Sequence, residues 1–223
     1  MWGVGRVTIQ PLVKAVSRLH VYGKDRVPRE GGLVVACNHF SWIDPPALGA
    51  ACPRTIYYMA KIEAHVVPGL GSLIRAFGAF PVRRGESDRE AVRLMRQCVR
   101  DGDALGLFAE GSRQREGVPG DVMPGAAMVA LQERVPVVAA AIHGTQFWKP
   151  GNFAPCSIAV GEPFMLDGLP KGGRGYKEGS LEIERRIRVL FDWLAEVHSR
   201  GRPKGLVPPT GAPEPAAVED PVV

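Results

Sequence analysis

The chain has 223 residues, 45% of them hydrophobic and 23% charged, with a formal net charge of +5. That length and balance suit one globular domain with a full hydrophobic core, or at most two small ones. No uncharged apolar run reaches the roughly 18 residues needed to cross a bilayer, and Arg6, Gln10, Pro11 and Lys14 interrupt any signal-peptide core, so a soluble or peripheral protein is expected.

Residues 1–30 carry six basic and two acidic side chains, and Ile9, Leu12, Val13, Val16 and Leu19 follow helical spacing. A basic amphipathic helix over residues 1–24, with Trp2 near its end, suits a membrane interface. The alternative is that its apolar face packs on the domain. Aromatics do not interleave with the basic residues, so nucleic acid is not the expected partner.

The apolar run Leu33–Cys37 reads as a buried strand ending in Asn38 and His39, with Asp44 five residues after the histidine. From there Asp44 can reach back to one ring nitrogen of His39 and leave the other facing a cleft, the arrangement of a general base and its orienting partner. Two other readings fit the same window. Ser41 and Asp44 match a capping box, or Asp44 is itself the cap with Pro45 at the first helical position; His39 is then a satisfied core histidine.

Further strands are predicted at Thr55–Met59, Ala79–Val82, Ala104–Phe108, Pro136–Ile142 and Ser157–Val160, and helices near 44–51, 62–76, 87–100, 123–133 and 178–198. On the helix at 87–100, Ala91, Leu94, Met95 and Cys98 share a face; on the last helix the buried stripe is Leu181, Ile187, Leu190, Phe191 and Leu194. The alternation predicts an α/β fold with a mixed, largely parallel sheet flanked by helices over residues 25–200. Residues 201–223 are Pro/Ala-rich without periodicity and read as a disordered tail.

Cationic groups follow several of these strands. Lys61 comes after Thr55–Met59, Arg83 and Arg84 after Ala79–Val82, and Glu110-Gly111-Ser112-Arg113 after Ala104–Phe108. Gly111 lets backbone approach a ligand, Ser112 offers a hydroxyl, and the planar fork of Arg113 suits phosphate oxygens, with Glu110 holding the loop or Arg113 in place. Taken singly, the last segment is equally an ordinary turn with a surface ion pair, and Arg83 and Arg84 a solvated loop. Ligands of open α/β sheets collect at the carboxyl ends of parallel strands, where His39, Lys61, Arg84 and Arg113 are all expected. Cys37, Cys52, Cys98 and Cys156 show no paired spacing and read as reduced thiols, and His20, His39, His65, His143 and His198 show no metal-ligand spacing, so no metal is expected.

In this order, the motifs resemble the glycerolipid acyltransferase family. Asn38-His39 with Asp44 matches its NHxxxxD block, Gly78 to Arg84 its GxFxVxR block, Phe108 to Arg113 its [FV]PEG[ST]R block, and Val135-Pro136 with Ala139 its last block, over about residues 30–165. Ala109 and Ala139 stand where the family has proline, which bears on loop rigidity rather than chemistry. The resemblance implies the glycerolipid acyltransferase fold. It makes His39 the general base and Asp44 its partner, with Lys61 and Arg113, and less directly Arg84, gripping an acceptor phosphate; Glu110, Gly111 and Ser112 complete the substrate-binding segment. It further implies a peripheral enzyme on the cytoplasmic face of a membrane. The enzyme would acylate lysophosphatidic acid to phosphatidic acid, using acyl-CoA or acyl-carrier protein as donor and no cofactor. Three alternatives are another acceptor (glycerol 3-phosphate, a lysophospholipid or a glycolipid), a hydrolase with Cys37 as nucleophile, and a non-catalytic lipid-binding module.

Overall fold

The structure is a computed structural model that describes residues 10–66, 71, 79–82 and 89–212. In chain order the elements are α1 (residues 10–16), β1 (His20–Tyr22), a single 3-10 turn (Lys24–Arg26), β2 (Leu33–Cys37), α2 (Asp44–Ala51), β3 (Ile56–Lys61), α3 (Ile62–Val66), β4 (Ala79–Val82), α4 (Arg89–Arg100), β5 (Ala104–Phe108), α5 (Gly125–Glu133), β6 (Val137–His143), β7 (Ser157–Phe164) and α6 (Gly173–Ser199). None of the described helices is long and apolar enough to cross a membrane.

The described strands form one sheet in the order β1-β7-β6-β2-β5-β3-β4. Strands β6, β2, β5, β3 and β4 are mutually parallel, β7 is antiparallel to β6, and β1 runs with β7. This is the mixed, largely parallel sheet that the sequence predicts. Parallel strands covered on both faces become continuous apolar runs, and all five residues of β2 are buried. Because β2 is central, the ends of its neighbours β5 and β6 flank the residues that follow Cys37.

Helix α6 covers one face with Ile183, Ile187, Leu190, Leu194 and Val197, all buried. The predicted stripe is wrong at its first member: Leu181 is 47% exposed and Ile183 takes its place, since residues 183, 187, 190 and 194 follow the 3.6-residue repeat and residue 181 falls on the far side. On α4, Ala91, Met95 and Val99 are buried and Leu94 and Cys98 half-buried.

Both predicted domain boundaries are overturned. The N-terminal helix does not continue to residue 24: the described helix ends at 16, Arg18 turns the chain with φ of 44°, and His20–Tyr22 join β7 as an edge strand. Val13 is buried and Val16 packs against the smaller apolar cluster of Ile43, Trp148 and Cys156. The described part of the helix therefore packs an apolar face on the domain.

The predicted disordered tail is in part a strap. Residues 201–212 run back along the β1–β7 edge. There Arg202 donates to the carbonyls of Arg18 and Cys156, Tyr22 Oη to that of Pro203, and the Glu162 N–H to that of Thr210. Arg26 is the node: its guanidinium donates to the carbonyls of Val160, Pro208 and Pro209 at 3.0, 2.8 and 2.7 Å and pairs with Glu162 at 2.7 Å. Proline-rich backbone has few donors but a full set of carbonyls, and one guanidinium supplies five N–H groups. Composition registers the missing apolar periodicity and not this complementarity. Residues 213–223 lie outside the described residues, as does much of the predicted helix at 62–76.

The Arg26 side chain is only 14% exposed, so Arg26→Ala leaves several carbonyls without a donor. A stability loss of about 2 kcal/mol is expected by chemical denaturation, with a similar loss on truncation after Arg202. An unchanged unfolding midpoint in both variants would show that the strap contributes nothing.

Candidate active site

The site begins where β2 runs out. The backbone register between β2 and β6 ends at Cys37 and Ala140, but the fully buried Asn38 side chain carries the ladder one step further. Its Nδ2 donates to the Ile142 carbonyl at 2.9 Å and its Oδ1 accepts the Ile142 N–H at 2.8 Å. The main chain of β2 is thereby released to turn while its position against β6 stays fixed. A buried asparagine at the end of an apolar run must find such partners; that signal was present in the sequence, yet the sequence reading gave Asn38 no role.

His39 and Asp44 are brought together. His39 Nδ1 lies 2.7 Å from Asp44 Oδ2. The same oxygen accepts the backbone N–H groups of Phe40 and Ser41, each at 2.7 Å. An ionised carboxylate only accepts, so Nδ1 carries the proton and Nε2 keeps a lone pair. Among the described residues Nε2 meets no hydrogen-bond partner, and the imidazole side chain is 12% exposed. The ring is steadied by Phe108 at the end of β5, stacked at a centroid distance of 4.2 Å and 27°. The sequence reading gave Phe108 no role.

The capping alternatives are partly realised. No side chain caps α2, whose N-cap is Ile43, but the Asp44 carboxylate reaching back to the Ser41 N–H is the acidic half of a capping box. The turn that starts α2 and the contact that orients His39 therefore share one oxygen. Asp44 Oδ1 is buried and meets no partner among the described residues.

The β5–α5 loop closes over this turn. The Gln114 N–H donates to the His39 carbonyl at 2.8 Å. Glu110 Oε2 accepts the His39 N–H at 2.8 Å and its Oε1 the Gly120 N–H at 2.9 Å. Both oxygens of Glu110 thus serve the backbone: it holds the loop rather than facing a ligand. Burial pushes its carboxyl up to about 7, against the pull of the Gly120 and His39 N–H groups and with a further push from Asp44. Gly111, at φ of 70°, makes the tight turn that returns the chain. Ser112 and Arg113 are exposed, and Arg113 forms no ion pair among the described residues. The predicted surface ion pair with Glu110 is absent from the described contacts.

Lys61 is the last residue of β3, which pairs with the strand carrying this loop, so it lies at the same end of the sheet. Arg84 lies outside the described residues. Cys37 is fully buried, and burial, followed by the charges of Asp44 and Glu110, raises its thiol well above its ordinary value. A protonated, inaccessible thiol is no nucleophile, so the Cys37 hydrolase reading fails. The rings of His143 and His198 lie 4.3 Å apart at an angle of 59°, and burial lowers both, His198 to about 4. No carboxylate forms an ion pair with either among the described residues, which sets them apart from His39.

Glu110 makes stability depend on pH. Its folded value of about 7 lies above the ordinary 4.5, so between those pH values the folded state binds more protons than the unfolded one and stability falls as pH rises. Glu110→Gln removes that slope. The stability difference, measured by urea denaturation, is expected to move against the wild type between about pH 5 and about pH 8; an equal difference at both ends would refute the assignment.

The Acyltransferase family model matches residues 18–143. A 1-acyl-sn-glycerol-3-phosphate acyltransferase of Bacillus subtilis is 32% identical over 148 residues, covering 64% of this chain and 72% of that protein. A lyso-ornithine lipid O-acyltransferase of Pseudomonas aeruginosa is 34% identical over 160 residues, covering 70% of this chain and 58% of that one. Among solved structures, the 1-acyl-sn-glycerophosphate acyltransferase of Thermotoga maritima superposes with a TM-score of 0.61 at 20% identity over 83% of this chain and 81% of that one, a likeness of fold. With the family model spanning the strands that build the site, from the entry to β1 through the end of β6, the chain belongs to the acyltransferase family.

Proposed function

We propose that the protein transfers a fatty acyl group from an acyl thioester to the free hydroxyl of 1-acyl-sn-glycerol 3-phosphate, giving phosphatidic acid. The observation that carries this reading is the 2.7 Å contact between His39 Nδ1 and a buried carboxylate, which leaves Nε2 as the basic nitrogen. The thioester is already activated, so no acyl-enzyme is needed. Nε2 takes the hydroxyl proton as the oxygen attacks the carbonyl carbon. The tetrahedral intermediate then breaks its C–S bond, and the imidazolium returns the proton to the departing thiolate. Asp44 keeps the Nδ1 proton in place and stabilises the imidazolium. Arg113, with Lys61 and Arg84, grips the acceptor phosphate so that one hydroxyl faces His39; such positioning supplies much of the acceleration that general-base catalysis alone does not. The donor is acyl-CoA or acyl-carrier protein, and the protein works peripherally on the cytoplasmic face of a membrane.

A second reading keeps the chemistry and changes the acceptor. The name of the Pseudomonas relative specifies a lyso-ornithine lipid, whose amino-acid head presents a carboxylate that an arginine fork also accepts.

His39→Ala and Asp44→Asn are each expected to lower kcat/KM by about 10²–10⁴-fold, with cooperative unfolding retained; near-normal turnover by either variant sinks the dyad. Purified protein with one labelled acyl-CoA and a panel of lysophosphatidic acid, glycerol 3-phosphate, lysophospholipids and lyso-ornithine lipid is expected to label lysophosphatidic acid fastest. Preference for the ornithine lipid would select the second reading. Arg113→Ala is expected to raise KM for the phosphate acceptor about tenfold or more with little change in kcat; an equal loss on a phosphate-free alcohol would show that Arg113 is no phosphate ligand.

A further inference from the structure

The loop after β6 has no part in the chemistry above, yet it is built with care. Residues 144–154 turn tightly around Asn152, which accepts the N–H groups of Lys149 and Ala154 and donates to the Phe147 carbonyl. Gly144 starts the turn at φ of 94°, where a Cβ would come within 2.2 Å of the Pro155 carbonyl oxygen. Trp148 is the anchor: it is buried, its Nε1 donates to the Val16 carbonyl of α1, and its ring meets Trp42 edge-on at 5.2 Å. This rigid turn holds apolar side chains outward. Phe147 is 64% exposed and Phe153 47%; Trp42, whose ring touches Trp148, is 57% exposed, and Leu12, one helical turn before Val16, 61%. Phe153 also has φ of 45°, a left-handed conformation that costs a bulky residue energy and that asparagine or glycine adopts readily. An exposed aromatic retained in a strained backbone points to a task outside the fold.

The α1 segment and the 144–154 turn carry charge of one sign. Lys14, Arg18 and Lys149 are exposed and form no ion pair among the described residues, and neither residues 10–22 nor residues 144–156 contain a carboxylate. Aromatic and leucine side chains set among unopposed cations match the apolar edge and anionic headgroups of a lipid surface. The turn follows His143 at the end of β6, next to the strand that delivers His39.

We propose that the 144–154 turn, with Trp42 and Leu12, is a membrane-docking wedge that seats the catalytic end of the sheet on an anionic bilayer. It adds to any contribution from residues before α1. The inference rests on the lysophosphatidic acid reading only in supposing that the acceptor arrives from that bilayer.

The test measures vesicle binding by sedimentation with the full chain and without donor or acceptor. The vesicles are phosphatidylcholine alone or phosphatidylcholine containing phosphatidylglycerol. The wild type is expected to favour the anionic vesicles and to lose part of that preference at high salt. The double substitution Phe147→Ser with Phe153→Asn is expected to weaken binding at least about tenfold. Its thermal midpoint should be unchanged or raised, because both side chains are exposed and asparagine relieves the strained backbone. Phe153→Asn alone is expected to give a smaller loss of binding, again without loss of stability. Unchanged partitioning of the double variant overturns the wedge. So does a wild-type dimer that the double variant dissolves while vesicle binding persists, for the face would then serve a second copy of the chain. If the wedge binds vesicles but no phosphate acceptor is acylated, it is the acceptor reading that falls and the wedge that stands.

Discussion

One buried oxygen organises the candidate active site of this protein. Asp44 Oδ2 accepts the imidazole Nδ1 proton and two consecutive backbone N–H groups, each at 2.7 Å. Placing a carboxylate in the interior costs several kcal/mol, and charge-assisted hydrogen bonds of about 1.5–3 kcal/mol each offset that cost only when their donors are held in place. The turn from β2 into α2 and the orientation of His39 are therefore one structural event. Without the turn the carboxylate lacks two of its three donors, and without the carboxylate the turn has two unsatisfied N–H groups and the imidazole has no orienting partner.

Two further side chains tie this turn to its neighbours by standing in for backbone. Asn38 continues the ladder to β6, and Glu110 joins the His39 N–H to Gly120 in the β5–α5 loop. The loop has a second tie where Glu184 of α6 accepts the Val122 N–H at 3.1 Å. Three adjacent strand ends are thus fixed to one another beyond the point where the parallel sheet stops. Under the proposed mechanism, preorganised groups of this kind need no rearrangement as charge develops on the imidazole, where fixed dipoles are most effective. Glu110 is the member of the set under electrostatic tension, with its carboxyl raised to about 7 by burial.

The periphery follows a different rule. The edge at β1 and β7 is closed by the proline-rich strap through Arg26, which protects strand carbonyls from water and from other chains. On the turn that precedes β7, around Trp148, aromatic side chains are left outside. A protein that covers one edge with backbone hydrogen bonds while exposing Phe147 and Phe153 on a fixed turn distributes its apolar surface unevenly, and that unevenness gives it a face.

Much of the fold was legible in the residues. The runs at 33–37, 79–82 and 104–108 and the charged, striped last helix have periodicities that local physics specifies, because a strand covered on both faces and a one-sided helix each demand their own apolar spacing. The candidate site was legible as a set of residue types: His39 and Asp44 in one short segment, and Lys61 and Arg113 at or just past the ends of neighbouring strands. Local pattern could not reveal relationships between distant segments. It did not show that residues 20–22 join β7 or that residues 201–212 lie against Arg26, because those partners are more than 130 positions apart and meet through carbonyls common to every residue. Nor did it distinguish Glu110 as a loop holder from Glu110 as a ligand, since that depends on which N–H groups approach it. The sequence alone determined which chemistry is available and which strands carry it; tertiary structure decided which lone pair stays free, because hydrogen-bond partners are assigned by packing in three dimensions and not by spacing along the chain.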